Sequence, residues 1–251
     1  MSARRRLDAE LVRRGLTSSR REATELIEAG RVLVAGAVAD KAARLVSPGE
    51  PVVVQGDKPR FVSRGGEKLA GALAGFSIDP SGWRALDAGA STGGFTDCLL
   101  QHGAARVVAL DVGHGQLHPR IRGDERVTVI ERCNVRQIGP DDIGGPVDAV
   151  VADLSFISLT VVLPALASVL RPGGELVALV KPQFEAGRAE VAKGRGVITD
   201  PAVHERVRGA IDDALRSLHA DVLGWITSPL RGADGNVEFL VHARFPGASS
   251  A

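Results

Sequence analysis

Residues 84–97, RALDAGASTGGFTD, decide the fold of the larger part of this 251-residue chain. A short apolar run reaches the acidic Asp87 and passes into a loop of small residues. In open α/β sheets, ligands bind where such loops leave the carboxyl ends of the strands. The stretch therefore predicts a ligand close to the backbone, with three candidates: a nucleotide phosphate, a dinucleotide or a small adenosine cofactor.

The chain from residue 65 onward continues this pattern. Helix-like spacers of crossover length separate most of the strand-like segments, which predicts a doubly wound, Rossmann-like α/β sheet that is largely parallel. Strands are predicted at 84–88, 107–111, 127–131, 147–153, 175–181, 222–227 and 237–243. The turn-forming run GADGN at 232–236 separates the last two segments and predicts an antiparallel last strand.

Residues 1–57 are predicted to form a separate small α+β module, joined by a linker at 58–64 to a domain at 65–251. Two short helices precede a small sheet, and Ser19 with Glu22 forms the capping box of the second helix. Arginines crowd the helical half, and their planar guanidinium groups suit phosphate oxygens. A solvated helix surface is the alternative, because glutamates are interspersed. The candidate RNA-binding residues, including one in the linker, are Arg4, Arg6, Arg14, Arg20, Arg21 and Arg64.

Composition narrows the class of protein. The net charge is +1 and only two cysteines are present, which gives no disulfide framework and no four-ligand zinc site. Neither a signal peptide nor an apolar run of membrane-spanning length is found. We expect a soluble, cytoplasmic protein that binds no metal, has no membrane partner and acts as a monomer. Arg188, Lys193 and Arg195 predict either a mobile basic loop or an ordinary solvated one.

The glycine-rich loop itself distinguishes between the three ligands. A phosphate-binding P-loop would need a lysine after Gly94, and a dinucleotide fingerprint would favour glycine in place of Ser91. The carboxylate of Asp87 would repel a pyrophosphate, but it can bind an ammonium group or a water. These features favour S-adenosylmethionine.

Polar residues at the ends of the next strands support the same cofactor. Asp111 is placed to accept hydrogen bonds from ribose hydroxyls, while Asn134 and Asp153 suit an adenine amino group. A helix cap or a solvated strand end is the alternative for each acid. The candidate cofactor-binding residues are Asp87, Gly89, Ser91, Gly93, Gly94, Phe95, Asp111, Asn134 and Asp153.

Sequence motifs then indicate a family. The run RLDAELVRRGLTSSRREATELIEAGRVLVAG at 6–36 resembles the alpha-L RNA-binding module of a ribosomal small-subunit protein. The stretches SRGGEKL, LDAGASTGGFTD, VVADLSFISL, LVKPQFE and GNVEFL resemble the TlyA-type ribosomal RNA 2′-O-methyltransferases, whose catalytic domain is FtsJ-like. The resemblance implies a catalytic tetrad of Lys68, Asp153, Lys181 and Glu238.

The same resemblance implies a substrate. It indicates the ribose 2′-hydroxyl of cytidine in ribosomal RNA within ribosomal subunits, the small subunit first and the large subunit as a further candidate. It also implies an effect on sensitivity to capreomycin-type antibiotics. The alternatives are a non-catalytic RNA-binding factor of ribosome assembly, a base methyltransferase and a haemolysin. Phe61 in the linker is either an anchor between domains or part of a plain spacer.

Chemistry gives each member of the tetrad a role. A ribose hydroxyl must lose its proton as it attacks a methyl group, so Lys181 is assigned as the base or orienting group. Burial, a sulfonium and a second ammonium would favour its neutral form. Lys68 would stabilise the developing oxyanion. Glu238 would hold a lysine, and Asp153 would orient Lys181. For each lysine alone, an ordinary surface cation is the alternative.

Overall fold

The structure is a computed structural model that describes residues 4–17, 19–56, 59–187, 190–191, 194, 196–232 and 235–246. Contacts between residues divide the chain into two compact units, Met1–Pro59 and Arg60–Ala251. Most of the expected linker packs with the larger unit, where Phe61 is 3% exposed and belongs to the apolar core. Phe61 is therefore part of the larger unit's own packing.

The smaller unit contains two short helices and several very short strands. Its elements are β1 (Arg5–Arg6), α1 (Leu7–Arg13), α2 (Arg20–Glu28), β2 (Val32–Val34), β3 (Ala37–Val38), β4 (Leu45–Val46) and β5 (Val52–Val54). As predicted, Ser19 begins α2 by accepting a hydrogen bond from the Glu22 backbone N–H at 3.2 Å. Leu7 and Leu11, four residues apart on α1, pack into the core with Ile27.

Strand pairing in the smaller unit forms two sheets. β2 lies between β3 and β5, and both pairings are antiparallel. β1 pairs with β4, which the sequence did not predict. A two-residue strand of arginines carries no periodic pattern, so only its distant pairing partner identifies it.

The larger unit is the predicted doubly wound domain. Its helices are α3 (Gly65–Phe76), α4 (Gly94–Gln101), α5 (Pro119–Arg122), α6 (Leu159–Ser168), α7 (Pro182–Glu185) and α8 (Pro201–Ser217). Its strands are β6 (Arg84–Ala88), β7 (Arg106–Leu110), β8 (Val127–Ile130), β9 (Val147–Ala152), β10 (Leu170–Val180), β11 (Asp221–Thr227) and β12 (Phe239–Arg244). Among the described residues of this unit, the strands form a seven-stranded sheet in the order β11-β12-β10-β9-β6-β7-β8.

Strand direction confirms the predicted topology. β8, β7, β6, β9 and β10 run parallel, and β12 is antiparallel to both β10 and β11. Strand β10 begins earlier than predicted. Near its start, two glycines pair with Phe245, the residue that directly follows β12. Gly173 N–H donates to Phe245 O at 2.7 Å, and Phe245 N–H donates to Gly174 O at 2.9 Å.

Apolar side chains cover both faces of the sheet. One core cluster includes Val150, Leu176 and Ile211, and the other includes Leu69, Leu99 and Leu240. Burial on both faces is typical of parallel sheets and explains the nearly continuous apolar runs of β9 and β10. No helix among the described residues has the length and apolar character that crossing a bilayer requires.

Candidate active site

Four strand ends meet at one edge of the larger unit's sheet. The registers align the carboxyl ends of β6, β9 and β10 with the start of β12. Gly89, Asp153 and Lys181 directly follow the first three strands, and Glu238 directly precedes the fourth. The fold therefore brings together residues that are far apart in sequence.

Lys68 and Glu238 form the first of two ion pairs at this edge. Lys68 lies in the first turn of α3, and its Nζ is 2.5 Å from Glu238 Oε2. The two residues are 9% and 2% exposed, respectively. Because a buried charge without a partner is strongly unfavourable, each of these groups needs the other. The predicted role of Glu238, to hold a lysine in place, agrees with this pairing.

Lys181 and Asp153 form the second ion pair. Lys181 Nζ lies 2.6 Å from Asp153 Oδ1, although the angle at this contact departs from hydrogen-bond geometry. The same Nζ donates a regular hydrogen bond to Ser155 Oγ at 2.9 Å. It also lies 5.8 Å from the centre of the Phe184 ring. Lys181 is 9% exposed, so its amine is nearly enclosed by these neighbours.

Asp87 is completely buried inside β6. Its Oδ2 accepts hydrogen bonds from the Thr96 backbone N–H at 2.9 Å and from Thr96 Oγ1 at 2.6 Å. Its Oδ1 is also buried, and no described residue donates to it. Burial raises the pKa of Asp87 to about 7, against the opposing effect of Thr96. An acceptor without a partner, close to the glycine-rich loop, fits the predicted contact with an ammonium group or a water.

The glycines of the loop permit close packing between neighbouring segments. Gly89 and Gly93 have φ values of 86° and 92°, which L-residues with a side chain rarely adopt. A Cβ atom on Gly89 would lie 2.7 Å from Asp153 O, and one on Gly93 would lie 2.9 Å from Leu117 Cδ1. A Cβ atom on Gly94 would meet Ser63 Oγ. These glycines therefore face protein neighbours, and the backbone of the loop is what remains available to a cofactor.

Asp111 organises a narrow cleft beside the loop. Its Oδ2 accepts a hydrogen bond from Ser91 N–H at 2.7 Å, and its Oδ1 accepts one from Gly113 N–H at 2.6 Å. Gln116 and Glu131 complete the polar lining. A carboxylate has about four acceptor positions, so Asp111 can still accept hydrogen bonds from ribose hydroxyls. The acceptor oxygens of this cleft fit the ribose hydroxyls of an adenosine cofactor.

Two of the predicted cofactor residues have other contacts in the structure. The ring of Phe95 is buried at 3% exposure in the apolar core. Asn134 Oδ1 accepts a hydrogen bond from Arg136 N–H at 3.1 Å and caps a short 3₁₀ turn, Val135–Gln137. The structure thus gives Phe95 a packing role and Asn134 a capping role. Their contacts with the cofactor remain predictions.

In the smaller unit, a buried carboxylate holds two of the predicted RNA-binding arginines. Nη2 of Arg6 and Nη2 of Arg20 lie 3.0 and 2.8 Å from Asp8 Oδ2. Hydrogen bonding by Arg6 is the main cause that lowers the pKa of Asp8 to about 2. The side chains of Arg6 and Arg20 are 49% and 59% exposed, so their outer edges remain open to a phosphate.

Arg14 differs from these two arginines. Its guanidinium donates to Glu10 Oε1 at 2.8 Å and to the backbone oxygens of Glu50 and Pro48 at 2.9 and 3.0 Å. Its side chain is only 19% exposed, which indicates a structural role. Arg21 is exposed and pairs with Glu25.

The remaining basic residues that were predicted to bind RNA are placed as follows. Arg4 is exposed, and Arg64 directly precedes α3. Arg188, Lys193 and Arg195 lie outside the described residues.

Sequence reasoning missed several residues that lie at the edge where the two ion pairs meet. Ser155 contacts Lys181, and Thr96 binds Asp87. Phe156 is 91% exposed with a φ of 64°, and its ring centre lies 5.2 Å from that of Phe184. Only their position beside Asp153 in the motif ADLSF could have indicated Ser155 and Phe156.

Two known families match this chain, and the boundary between their matches agrees with the boundary between the two compact units. Residues 61–245 match the FtsJ-like methyltransferase family, and residues 5–52 match the S4 domain. The predicted combination of a methyltransferase domain and an RNA-binding module is therefore confirmed.

Similar proteins cover both units. The 16S/23S rRNA (cytidine-2′-O)-methyltransferase TlyA of Mycobacterium tuberculosis is 51% identical over 245 residues, 97% of this chain and 91% of the relative. Hemolysin A of Brachyspira hyodysenteriae is 43% identical over 240 residues, 94% of this chain and 98% of the relative.

Two solved structures illustrate the range of the fold. A candidate hemolysin from Streptococcus thermophilus has a TM-score of 0.79 at 40% identity, over 98% of this chain and 90% of its own. The N-methyltransferase NodS of Bradyrhizobium japonicum, in complex with S-adenosyl-L-homocysteine, has a TM-score of 0.51 at 19% identity, over 76% of this chain and 89% of its own. The second likeness shows a shared fold.

Proposed function

Because this chain belongs to the FtsJ-like methyltransferase family and carries an S4 domain, we propose that it methylates the ribose 2′-hydroxyl of a cytidine in ribosomal RNA. The methyl donor is S-adenosylmethionine. The observation that carries the proposal is the pair of enclosed lysines, Lys68 and Lys181, each with its own carboxylate at the edge of the sheet. The 51%-identical relative from M. tuberculosis is named for this reaction.

Lys181 is the residue that handles the proton. S-Adenosylmethionine supplies a methyl carbon bonded to a positively charged sulfur. With this cofactor bound, the hydroxyl proton would pass to Lys181 Nζ as the 2′-oxygen takes the methyl group, and the sulfur would keep the electron pair of the broken carbon–sulfur bond. A base within hydrogen-bond reach of the hydroxyl is needed, because a ribose hydroxyl is a poor nucleophile. Asp153, at 2.6 Å, fixes the amine and stabilises the ammonium that forms.

Lys68 stabilises the charge that develops on the 2′-oxygen. Its ammonium already pairs with Glu238, and an ammonium has three donors, so others remain for the substrate. A cation held in advance on a rigid helix stabilises a transition state without reorganisation at the moment of reaction. Glu238 thus acts on the substrate through Lys68.

The cofactor binds along the loop between β6 and α4. Asp111 accepts hydrogen bonds from the ribose hydroxyls while it keeps the Ser91 and Gly113 amides in position. The free oxygen of Asp87 accepts a hydrogen bond from the ammonium group or from a water beside it. The backbone of 89–94 lies close enough for contact, since glycine and serine present little side chain there.

The S4 domain supplies affinity for folded ribosomal RNA. Arg6 and Arg20 bind phosphate oxygens, and such contacts read the shape of RNA more than its sequence. In the larger unit, the exposed ring of Phe156 offers a face on which an unstacked base can lie. Small-subunit RNA is the first substrate to test, and large-subunit RNA is the second.

Two other functions make different predictions. A non-catalytic assembly factor would bind ribosomal RNA without turnover, and the complete tetrad argues against it. Some relatives carry the name hemolysin. The lysine–carboxylate pairs, however, match methyl transfer to a hydroxyl. An effect on capreomycin-type antibiotics would follow only if methylation alters their binding site.

Radiolabelled S-adenosylmethionine tests the proposal directly. The protein is incubated with separate small and large ribosomal subunits, and the labelled ribose is mapped to a nucleotide. We expect label on a cytidine 2′-oxygen, and none with the Lys181→Ala variant. Label on a base, or binding without transfer, would contradict the proposal.

A further inference from the structure

Ser155 contacts the reacting amine without belonging to either ion pair. It follows β9 in the segment that joins this strand to α6, and its Oγ accepts the hydrogen bond from Lys181 Nζ at 2.9 Å. Asp153, on the same segment, contacts the same nitrogen at 2.6 Å. One short segment therefore holds a single amine in two ways, through a hydrogen bond to Ser155 and an ion pair with Asp153.

The geometry of an amine gives these two contacts a consequence. A neutral lysine nitrogen has two N–H bonds and one lone pair in a roughly tetrahedral arrangement. Ser155 accepts one N–H bond, and the negative charge of the adjacent Asp153 carboxylate repels the lone pair, so the lone pair must point in the remaining direction. With Asp153 alone, the amine can rotate about its Cε–Nζ bond, and the lone pair is then free to face either way.

We propose that Ser155 is a positioning residue that orients the lone pair of Lys181 toward the ribose hydroxyl. The inference rests on the proposed function, because it assumes that Lys181 accepts the hydroxyl proton. After transfer, the ammonium has the Asp153 carboxylate as its counter-charge and can donate hydrogen bonds to Ser155 and to the newly methylated 2′-oxygen. Ser155 therefore acts through Lys181 and gains no proton itself.

The segment that carries Ser155 is fixed at both of its ends. At the start, Asp153 N–H donates to Ala88 O at 3.1 Å, which ties the segment to β6. At the other end, Glu185 accepts hydrogen bonds from Ser158 Oγ at 2.6 Å and from Leu159 N–H at 2.7 Å. Glu185 lies on α7, the turn that begins directly after Lys181. The segment of Ser155 is thus tied to β6 at one end and to α7, the element that follows Lys181, at the other.

Removal of the hydroxyl tests the proposal. Ser155 is exposed, so Ser155→Ala should leave folding and cofactor affinity unchanged. We expect the single-turnover rate of methyl transfer to fall about tenfold to a hundredfold, the range that a hydrogen bond to a charged group supplies. The RNA concentration at half-maximal rate should stay the same. Ser155→Thr keeps a hydroxyl and should restore most of the rate.

Matched variants separate this inference from the proposed function. Ser168→Ala removes a hydroxyl at the end of α6 that donates to Ala165 O of the same helix, and it should keep most of the activity. Wild-type rate in Ser155→Ala, or an equal loss in Ser155→Thr, would overturn the inference. Lys181→Ala is measured in the same assay. If it were fully active, the proposed role of Lys181 would fail as well; if it were inactive, only the role of Ser155 would be in question.

Discussion

The two units of this protein pair charges in opposite ways. In the smaller unit, the buried Asp8 holds two half-exposed guanidiniums, those of Arg6 and Arg20. In the larger unit, each nearly buried lysine has a carboxylate of its own. The first arrangement keeps an excess of positive charge at the surface, and the second encloses matched charges.

This difference agrees with the chemistry of the two side chains. Arginine stays charged at any pH that a protein tolerates, and its planar fork matches phosphate oxygens. Lysine can lose its proton in a suitable environment, so it can take part in proton transfer. Under the proposed function, the smaller unit attracts an anion and the larger unit moves a proton.

The most direct test of this difference between the units is to exchange lysine for arginine in the larger unit. Lys181→Arg keeps the positive charge but cannot act as a base, so we expect the single-turnover rate to fall by at least about 100-fold, as for loss of a general base. Lys68→Arg should keep partial activity, because a developing oxyanion needs only a nearby cation. Near wild-type rate in Lys181→Arg would show that both units use their cations in the same way.

A second test concerns Asp111, whose carboxylate accepts hydrogen bonds from two backbone N–H groups. Asp111→Ala removes the acceptor of Ser91 N–H and Gly113 N–H together with the predicted ribose contact. We expect S-adenosylmethionine to bind at least about tenfold more weakly in calorimetry, as for loss of a hydrogen bond to a charged group. Asp124→Ala is the matched control, since Asp124 pairs with the neighbouring Arg126. Unchanged affinity in Asp111→Ala would remove Asp111 from the cofactor site.

Two arginines of the smaller unit sharpen the comparison further. Arg20→Ala should weaken binding to ribosomal RNA and reduce the slope of log affinity against log salt by about 1, because one phosphate contact is lost. Arg14→Ala should leave that slope unchanged but lower the free energy of unfolding by about 1–2 kcal/mol, because its hydrogen bonds are internal. Equal salt slopes in the two variants would contradict this division.

A last test concerns Asp87, a buried carboxylate whose hydrogen-bond donors are the backbone N–H and the hydroxyl of Thr96. In the unfolded chain its pKa is about 4, as for an ordinary aspartate. In the folded protein burial raises its pKa to about 7. Between these values the unfolded chain releases a proton that the folded protein retains, so this group lowers stability progressively as pH rises through that window.

Thermal unfolding at several pH values measures this contribution. Asp87→Asn cannot ionise, so the difference in stability between variant and wild type should change between about pH 4 and pH 7 and stay constant outside that range. The hydrogen bonds from Thr96 can be kept by the amide oxygen. A difference that does not vary with pH would show that Asp87 titrates normally in the folded protein.

The sequence predicted the backbone framework better than the direction of the side chains. The glycine-rich loop, the succession of strands along the chain and the antiparallel last strand follow from local patterns that tertiary packing reinforces. The ion pairs of Lys68 and Lys181 could be anticipated because motif positions at strand ends converge on one edge of a parallel sheet. These predictions depend on where the backbone goes.

The features that the sequence did not predict depend on the direction of a side chain or on a distant partner. Phe95 follows two glycines of the loop but packs into the core, and Asn134 caps a turn. Ser155 lies next to Lys181 only because the segment after β9 bends back toward α7. Strand β1 exists only through its pairing with β4. None of these outcomes has a periodic signature, since each one is set by a partner distant in sequence.

Strand β12 gives the protein an order of assembly during its synthesis. It is the last strand of the described chain, yet it lies inside the sheet, between β10 and β11. A nascent chain that has left the ribosome only as far as β11 still lacks the strand between β10 and β11. Lys68 must then wait for Glu238, which lies 170 residues further along. The Lys68–Glu238 ion pair can therefore form only late in synthesis, and a chain that ends before Glu238 would carry Lys68 without this carboxylate.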